Sequence, residues 1–440
     1  MSAWSKAAEL AARTPESRNR YVDFLRAISI LAVILGHWTA AAPYVDAQGK
    51  LASTHILAVA DWSHWLTWVI QVMPIFFMVG GFSNGITWRA ARRDNQSYRE
   101  WLGGRLKRLV WPVLPLLVAW VVIGAAMYLG GARPELVRVG SQMALIPTWF
   151  LAVYLGVVVL VPITHALWVR LGFFSFWLSC AAAVIVDWAY FRGQHALGWV
   201  NYLFVWSAVH QLGYAWSDGQ LADLRKTVPM FVVGLTALIA LTTLGPYPRA
   251  MVGVPGDLIS NTTPPKITLL ALAAAQGGFL LSLQSAGRRW LARPRPWTAT
   301  VLINGMIMTI YLWHLTAMGL WIVIAYGLDG LGLRYEPGSA SWWRARPLWL
   351  LALALTLLPL VLVFARFERP KPSATTPATW RLVAGAALLV FGLALLAKFG
   401  IAGNGPLGLR LWVLALPFAG AALIGMGARG AADRAGVPAS

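Results

Sequence analysis

Long apolar stretches recur along almost the whole chain. Runs of about 20 apolar residues are long enough to cross a bilayer as a helix. Only 12% of the residues are charged, and the mean hydropathy is +0.63. We therefore predict an all-α, polytopic membrane helix bundle rather than a soluble enzyme. The sequence predicts twelve spans, at 22–42, 62–88, 109–130, 147–169, 172–191, 196–216, 227–245, 267–286, 299–327, 347–366, 382–402 and 410–428.

The basic residues predict how these spans are oriented. With the N-terminus in the cytoplasm, most of the 36 Lys and Arg residues fall in inner segments, most densely in 89–109. The positive-inside rule then gives an N-in and C-in topology. Because the basic residues act as topology signals and contacts for anionic lipid, the formal net charge of +20 requires no nucleic-acid partner.

The spans and their connections predict the domain organisation. A ten-helix core is predicted at 21–366 and an additional transmembrane helix pair at 382–428. The flanking parts are predicted to be cytoplasmic: the N-terminal segment 1–20, the linker 367–381 and the tail 429–440. The N-terminal segment is polar and precedes a full-length span, so we expect no cleaved signal peptide. The excess of Arg over Lys and the abundance of Ala, Leu, Gly and Trp fit a GC-rich bacterial genome. We expect a multi-pass protein of the bacterial inner membrane.

The first span contains three ionisable residues, Asp23, Arg26 and His37. On a helix that turns about 100° per residue, the step from Arg26 to His37 comes within roughly 20° of three full turns. Asp23 lies about 40° to the other side of His37, so all three share one face. The helical rise separates Arg26 and His37 by about 16 Å along the axis. Ionisable groups inside a membrane mark candidate functional sites, and His is the usual proton acceptor near neutral pH.

A structural explanation of the same residues stays open. Asp23 and Arg26 are spaced for an i,i+3 ion pair, and His37 could bond to a neighbouring helix. In the predicted topology Arg26 lies near the cytoplasmic end of the span and His37 in its outer half. Such a placement is typical of a vertical tunnel through the membrane.

A second group of cations lies where the densest basic segment enters the third span. Arg105, Lys107 and Arg108 are predicted to face a phosphorylated cytosolic ligand. For the preceding residues, 89–99, retention on the cytoplasmic side is an equally good explanation.

The first span, with Asp23-Phe-Leu-Arg26 and Gly36-His37, resembles the opening helix of the acyltransferase-3 family of integral membrane O-acyltransferases. In that family an Arg and a His about ten residues apart carry the reaction. One departure is that Gly80 stands where the family often has Ser. Four later segments are similar to family motifs in the same order: Pro74-Ile-Phe-Phe-Met-Val-Gly-Gly-Phe82, Arg105-Leu-Lys-Arg108-Leu-Val-Trp-Pro112, Pro147-Thr-Trp-Phe-Leu151 and Ile310-Tyr-Leu-Trp-His314.

The resemblance implies transfer of an acyl group from cytosolic acyl-CoA to a hydroxyl of an extracytoplasmic envelope glycan or glycolipid. Acetyl is the expected group because it is the commonest in the family. His37 would act as the general base, with a covalent acyl-His relay as the open alternative. Asp23 would hold Arg26, and the CoA phosphates would stay with Arg105, Lys107 and Arg108. Acyl-CoA is then a substrate, and we predict no cofactor.

Three further residues are candidates for acceptor binding, and each has a plainer explanation. Trp149 lies at the outer interface, where Trp is common in any case. His314 could line the tunnel or donate to a carbonyl on the adjacent helix. Asp187 could position an acceptor or pair with Arg192. Because no His is spaced with a second metal-ligand residue, we predict no metal.

Two other function classes remain in view. A secondary transporter or flippase would also have about twelve spans and buried charges, although no repeat of the first-span pattern follows residue 220. A non-catalytic role as a scaffold or sensor would not explain why an Arg and a His lie on one helix face. We therefore favour the acyltransferase.

Overall fold

The computed structural model describes residues 2–370 and 376–426. The predicted tail at 429–440 and residues 371–375 of the predicted linker lie outside the described residues. The helices are α1 Ala3–Ala12, α2 Arg20–Ala40, α3 Ile56–Val59, α4 Thr67–Ile70, α5 Met73–Arg93, α6 Tyr98–Val110, α7 Val113–Leu129, α8 Pro134–Leu145, α9 Thr148–Val159, α10 Val161–Leu171, α11 Phe173–Phe191, α12 Asn201–Ser217, α13 Leu224–Thr243, α14 Thr268–Ser282, α15 Gln284–Leu291, α16 Pro294–Gly305, α17 Ile307–Gly327, α18 Ala340–Phe364, α19 Thr379–Phe399 and α20 Leu411–Leu423. Two strands, β1 Ala41–Val45 and β2 Leu51–His55, form an antiparallel ribbon.

Within the described residues, eight helices are long and apolar enough to cross a membrane, and up to ten if two bent helix pairs each form one span. These long apolar helices confirm the predicted all-α membrane bundle. The count of twelve and the N-in, C-in orientation stay predictions. Two predicted spans contain shorter helices, the 17-residue α12 and the 13-residue α20. The predicted span 147–169 is divided between α9 and α10, and α9 instead follows α8 at a 44° bend.

The chain divides into two compact units. The first unit contains Met1–Thr87, Val161–Ile307 and Leu320–Leu360. In this unit α2 packs against α15 and α16, α13 pairs with α14, and α11 packs against α12. The side chain of Asn19 accepts a hydrogen bond from the backbone N–H of Tyr21, which satisfies one of the free donors at the start of α2.

Helices α5 and α12 of the first unit touch backbone to backbone. A Cβ atom added at Gly81 would lie 1.9 Å from the carbonyl oxygen of His210, and one added at Gly213 would lie 2.1 Å from that of Met78. Small residues permit this close approach between membrane helices. The contact fixes the part of α5 that carries Ser83 and Asn84, which matters for the site described below.

We expect Gly213→Ala to destabilise the fold strongly. The new methyl group would meet rigid backbone on α5, so the helices must separate, at a cost of about 3 kcal/mol or more. Gly156→Ala in α9 is the matched control, because a Cβ there meets nothing within 4 Å. Thermal unfolding in detergent should give a lower midpoint for Gly213→Ala and an unchanged or slightly higher midpoint for the control, because Ala favours a helix more than Gly does. A wild-type midpoint in Gly213→Ala would contradict the close packing.

The ribbon continues directly from the first spanning helix. The backbone N–H of Ala41, the first residue of β1, donates to the carbonyl of His37 in the last turn of α2. Ala41 is paired with His55 at the far end of β2. One ribbon residue takes part in a buried apolar cluster, whose members are Ala42, Ile56, Leu57, Ala60 and Trp342. The ribbon that follows α2 therefore shares a buried apolar cluster with the start of α18.

The second unit contains Trp88–Leu160, Met308–Gly319 and Val361–Ser440. Here α19 packs against α6, α8, α9 and α20. The hydroxyl of Thr148, at the start of α9, donates to the carbonyl of Leu393 in α19 at 2.9 Å. The two last helices are thus integral to this unit, whereas the predicted division into a core and an additional pair stays a prediction.

Candidate functional site

The buried carboxylate of Asp23, in the first turn of α2, binds two guanidinium groups. Nη1 of Arg26 lies 3.3 Å from Oδ1 of Asp23, and Nε of Arg18 donates to Oδ2 at 2.6 Å. The i,i+3 spacing places the first pair on one helix face, as the sequence predicted. Because Arg18 is half exposed, its share of the interaction is screened by solvent, whereas Asp23 and Arg26 lie deeper.

The hydroxyl of Ser83 provides a second contact for Arg26. Nη2 of Arg26 donates to Oγ of Ser83 on α5 at 3.3 Å, so the guanidinium is oriented from two helices. Ser83 was not predicted from the sequence. The one indication of Ser83 in the sequence was its position about one turn after Gly80. Gly80 stands where the family that the chain resembles often has Ser. Next to Ser83, Nδ2 of Asn84 lies 3.1 Å from Nε2 of His210 on α12.

His37 lies in the last turn of α2 and is half-buried. His55 on β2 is close enough for the charges of the two imidazoles to interact. Burial lowers the pKa of His55, which therefore stays neutral near pH 7. Its Nδ1 accepts a hydrogen bond from the backbone N–H of Leu57 at 3.3 Å. The ribbon therefore places a second imidazole beside His37.

The predicted phosphate-binding residues lie on α6, in the second unit. A capping box of Ser97 and Glu100 begins this helix. Arg105 lies over the ring of Trp101, with 5.7 Å from its guanidinium carbon to the ring centroid. Arg105 and Lys107 are half-buried, and Arg108 is exposed. Helix α6 ends at Val110 and α7 begins at Val113, so these cations lie on the helix that leads into α7.

His314 and Trp149 also belong to the second unit. Nδ1 of His314 donates to the carbonyl of Tyr311, on the same helix, at 2.5 Å. The hydroxyl of Tyr311 donates to the carbonyl of Pro147, two residues before Trp149, at 2.8 Å. These bonds connect α17 to the start of α9. The predicted acceptor-binding roles of His314 and Trp149 stay predictions.

Glu368 holds the start of α17 and was not singled out in the sequence. Its carboxylate accepts hydrogen bonds from the backbone N–H groups of Met308 and Thr309 at 2.9 and 3.0 Å. It also accepts one from the hydroxyl of Thr309 at 2.6 Å. A carboxylate there satisfies free donors and interacts favourably with the helix dipole. Because the partners are 59 and 60 residues apart, no local sequence pattern indicated this cap.

Asp187 is surrounded by donors from the protein itself, which corrects the expectation that it pairs with Arg192. Its Oδ1 accepts from Asn201 at 2.8 Å, and its Oδ2 accepts from the backbone N–H of Ile267 at 2.8 Å and the hydroxyl of Tyr247 at 3.1 Å. Arg192 lies over the ring of Trp188 instead. The carboxylate therefore anchors the segment that joins α13 to α14. Its predicted role in acceptor binding stays a prediction.

Lys266 lies beside this anchor and is fully buried. Its Nζ is 3.6 Å from the ring centroid of Tyr190 and donates to the carbonyl of Pro264 at 3.3 Å. Burial lowers the pKa of Lys266 to about 8, against the opposing influence of the Asp187 carboxylate. Burial also raises the pKa of Tyr247, and Asp187 adds to that increase. Asp187, Lys266 and Tyr247 thus form a buried structural cluster in the first unit.

A family model described as an acyltransferase domain matches residues 19–366, which is most of the chain. The chain belongs to the acyltransferase-3 family. The match includes Asp23, Arg26 and His37 on α2 and the cations of α6. Together with the apolar helices, family membership indicates an acyltransferase that crosses the membrane several times. Comparison with curated proteins and with solved structures finds no match.

Proposed function

We propose that this acyltransferase moves an acetyl group from cytosolic acyl-CoA to a hydroxyl of an extracytoplasmic envelope glycan or glycolipid. The observation that carries the proposal is the arrangement on α2. A guanidinium fixed by Asp23 and Ser83 lies near one end of the helix, and His37 lies in the last turn at the other end. Ionisable groups inside a membrane cost free energy, and a functional role explains why the protein retains them.

The distance between Arg26 and His37 suits a donor that enters from the cytosolic side of the membrane and an acceptor that arrives from the opposite side. The helical rise puts Arg26 and His37 about 16 Å apart, which is comparable with the reach of an extended pantetheine arm. Acyl-CoA is too highly charged to cross the bilayer, so its nucleotide would stay on the cytosolic side. Its thioester would then be presented near His37.

His37 would act as the general base in the transfer. Its neutral imidazole takes the proton of the acceptor hydroxyl while the hydroxyl oxygen attacks the thioester carbonyl carbon. The carbon–sulfur bond then breaks, and the departing CoA thiolate takes the proton from His37. The products are the acylated acceptor and CoA-SH.

A thioester assay tests the proposed reaction. Purified protein in nanodiscs, given acetyl-CoA, should release free CoA thiol, and an envelope saccharide extract should increase the rate. A membrane fraction from a deletion strain should lack one acyl mass increment on a glycan or glycolipid. An intact thioester under all these conditions would contradict the proposal and favour the transporter or flippase.

Neutralising two cations of α6 should chiefly weaken donor binding. We expect an Arg105→Gln, Arg108→Gln double variant to raise the KM for acetyl-CoA by about tenfold or more, with kcat within about twofold of wild type. Phosphate contacts are made equally in the ground and transition states, so they affect binding rather than turnover. Arg170→Gln is the control, because Arg170 is an exposed cation predicted on the same side. An unchanged donor KM in the double variant would make Arg105 and Arg108 topology signals only.

A further inference from the structure

Arg346 is a buried guanidinium that the proposed reaction does not use. It lies near the start of α18, in the first unit, and is only 5% exposed. Its guanidinium carbon is 3.5 Å from the ring centroid of Trp342 and 5.3 Å from that of Trp349. The aromatic faces stabilise the positive charge, but they do not accept hydrogen bonds from the N–H groups at the edge of the guanidinium.

The groups around Arg346 are hydrogen-bond donors without acceptors. Among the described residues, neither Nε nor Nη1 of Arg346 has a hydrogen-bond partner. The same holds for the indole N–H groups of Trp342 and Trp349, and of Trp321, whose ring lies 6.0 Å from that of Trp349. Guanidinium and indole nitrogens can only donate. Because buried donors and buried charges are normally paired, this cluster is suited to a ligand rich in acceptor oxygens.

The cluster lies at the same end of α2 as His37. Trp342 belongs to the same buried apolar cluster as Ala42 of β1, and β1 begins where α2 ends. His37 precedes Ala42 by five residues, whereas Asp23 and Arg26 lie at the opposite end of the helix. In the predicted topology this end faces outward, which is the side from which the acceptor arrives.

We propose that Arg346, with Trp342 and Trp349, binds an anionic group, a carboxylate or a phosphate, carried by the acceptor. A guanidinium matches both groups with two parallel hydrogen bonds, and the indole rings add donors and apolar faces beside it. The acceptor is then an acidic or phosphorylated saccharide. This inference rests on the proposed function, because it assigns the acceptor of that reaction.

Binding measurements with simple sugars test the site. Full-length protein in phosphatidylcholine nanodiscs should bind glucuronate and glucose 1-phosphate at least about tenfold more tightly than glucose in calorimetric titrations. Arg346→Met should remove that preference. The matched control is Arg344→Met, two residues earlier on the same helix, where the side chain is exposed. Equal affinity of the wild type for glucuronate and glucose would overturn the proposal, as would a preference retained in Arg346→Met.

A second variant covers the case in which Arg346→Met does not fold. Trp342→Phe keeps an aromatic ring against the guanidinium and removes one N–H donor, so it should weaken binding of the acidic probes by about threefold or more. Thermal unfolding of each variant separates loss of binding from loss of fold. Acidic-probe affinity at the wild-type level in folded Trp342→Phe would count against a binding role for its indole N–H and overturn the proposed site.

Nanodiscs that contain phosphatidylglycerol distinguish an acceptor from a lipid headgroup. If anionic lipid alone displaces glucuronate from the wild type, the site binds lipid and the assignment to the acceptor is wrong. Acetyl-CoA consumption with neutral glucose as the acceptor, together with no preference for acidic probes, would overturn this inference and leave the transfer reaction intact. Binding of the acidic probes without thioester consumption would overturn the transfer reaction, and with it the assignment of the anion to an acceptor.

Discussion

His37→Gln should lower the turnover number of acyl transfer by at least about a hundredfold while the protein stays folded. Glutamine retains hydrogen-bonding groups of similar reach but cannot take up a proton near neutral pH, so it removes the base and little of the packing. His37 is half-buried in the last turn of α2, where a side chain of similar size can be accommodated. The measurement is the release of CoA thiol from acetyl-CoA in the presence of the acceptor.

His195→Gln is the matched control for this prediction. His195 is an exposed imidazole whose ring packs on Tyr190, and we assign it no role in transfer. Its turnover number should match that of the wild type. Near-normal turnover in well-folded His37→Gln would remove the general base from the mechanism, and the plainer explanation of a hydrogen-bonded membrane His would then be preferred.

The sequence predicted the parts of the site that depend on helix periodicity. The spacing of Asp23, Arg26 and His37 places them on one face of any regular helix, so the Asp23–Arg26 contact follows from local geometry. The membrane bundle was likewise predictable because hydropathy alone indicates apolar spans. The family relationship followed from short motifs in a fixed order.

Contacts between distant segments were not predictable in the same way. Asp187 accepts from the backbone of Ile267, 80 residues later, whereas the sequence suggested the nearby Arg192. Ser83 is one of several polar residues on α5, and only the packing of α5 shows that it reaches Arg26. Short strands such as Leu51–His55 leave too weak a pattern to separate a ribbon from a loop.

Arg346 illustrates a third limit. An Arg at the end of an apolar run is normally a topology signal or an interfacial anchor, and Arg344, two residues earlier, is exposed as that interpretation expects. The two residues differ by about 200° around the helix, so one faces outward and the other packs against Trp342. Periodicity gives this difference in direction, but the tertiary packing decides which of the two is buried.

Arg26→Lys should reduce kcat/KM for acyl transfer by about 10- to 100-fold although the charge is retained. Arg26 uses Nη1 toward Asp23 and Nη2 toward Ser83, and the single Nζ of Lys cannot reproduce this planar, two-sided contact. Losing one charge-assisted hydrogen bond costs about 1.5–3 kcal/mol, which corresponds to a factor of about 10 to 100 in rate.

Arg18→Lys is the control that separates the need for a planar guanidinium at Arg26 from the need for a positive charge beside Asp23. Arg18 binds the other oxygen of Asp23 but is half exposed, so Lys and solvent should replace it with less than about a twofold effect on kcat/KM. The kinetics of both variants should be measured at varied acetyl-CoA concentrations, with thermal unfolding to confirm the fold. If Arg26→Lys retained more than half of the wild-type kcat/KM, its charge alone would suffice. The oriented guanidinium would then have to be removed from the proposed mechanism, because a point charge at that depth would attract the donor equally well without Asp23 or Ser83.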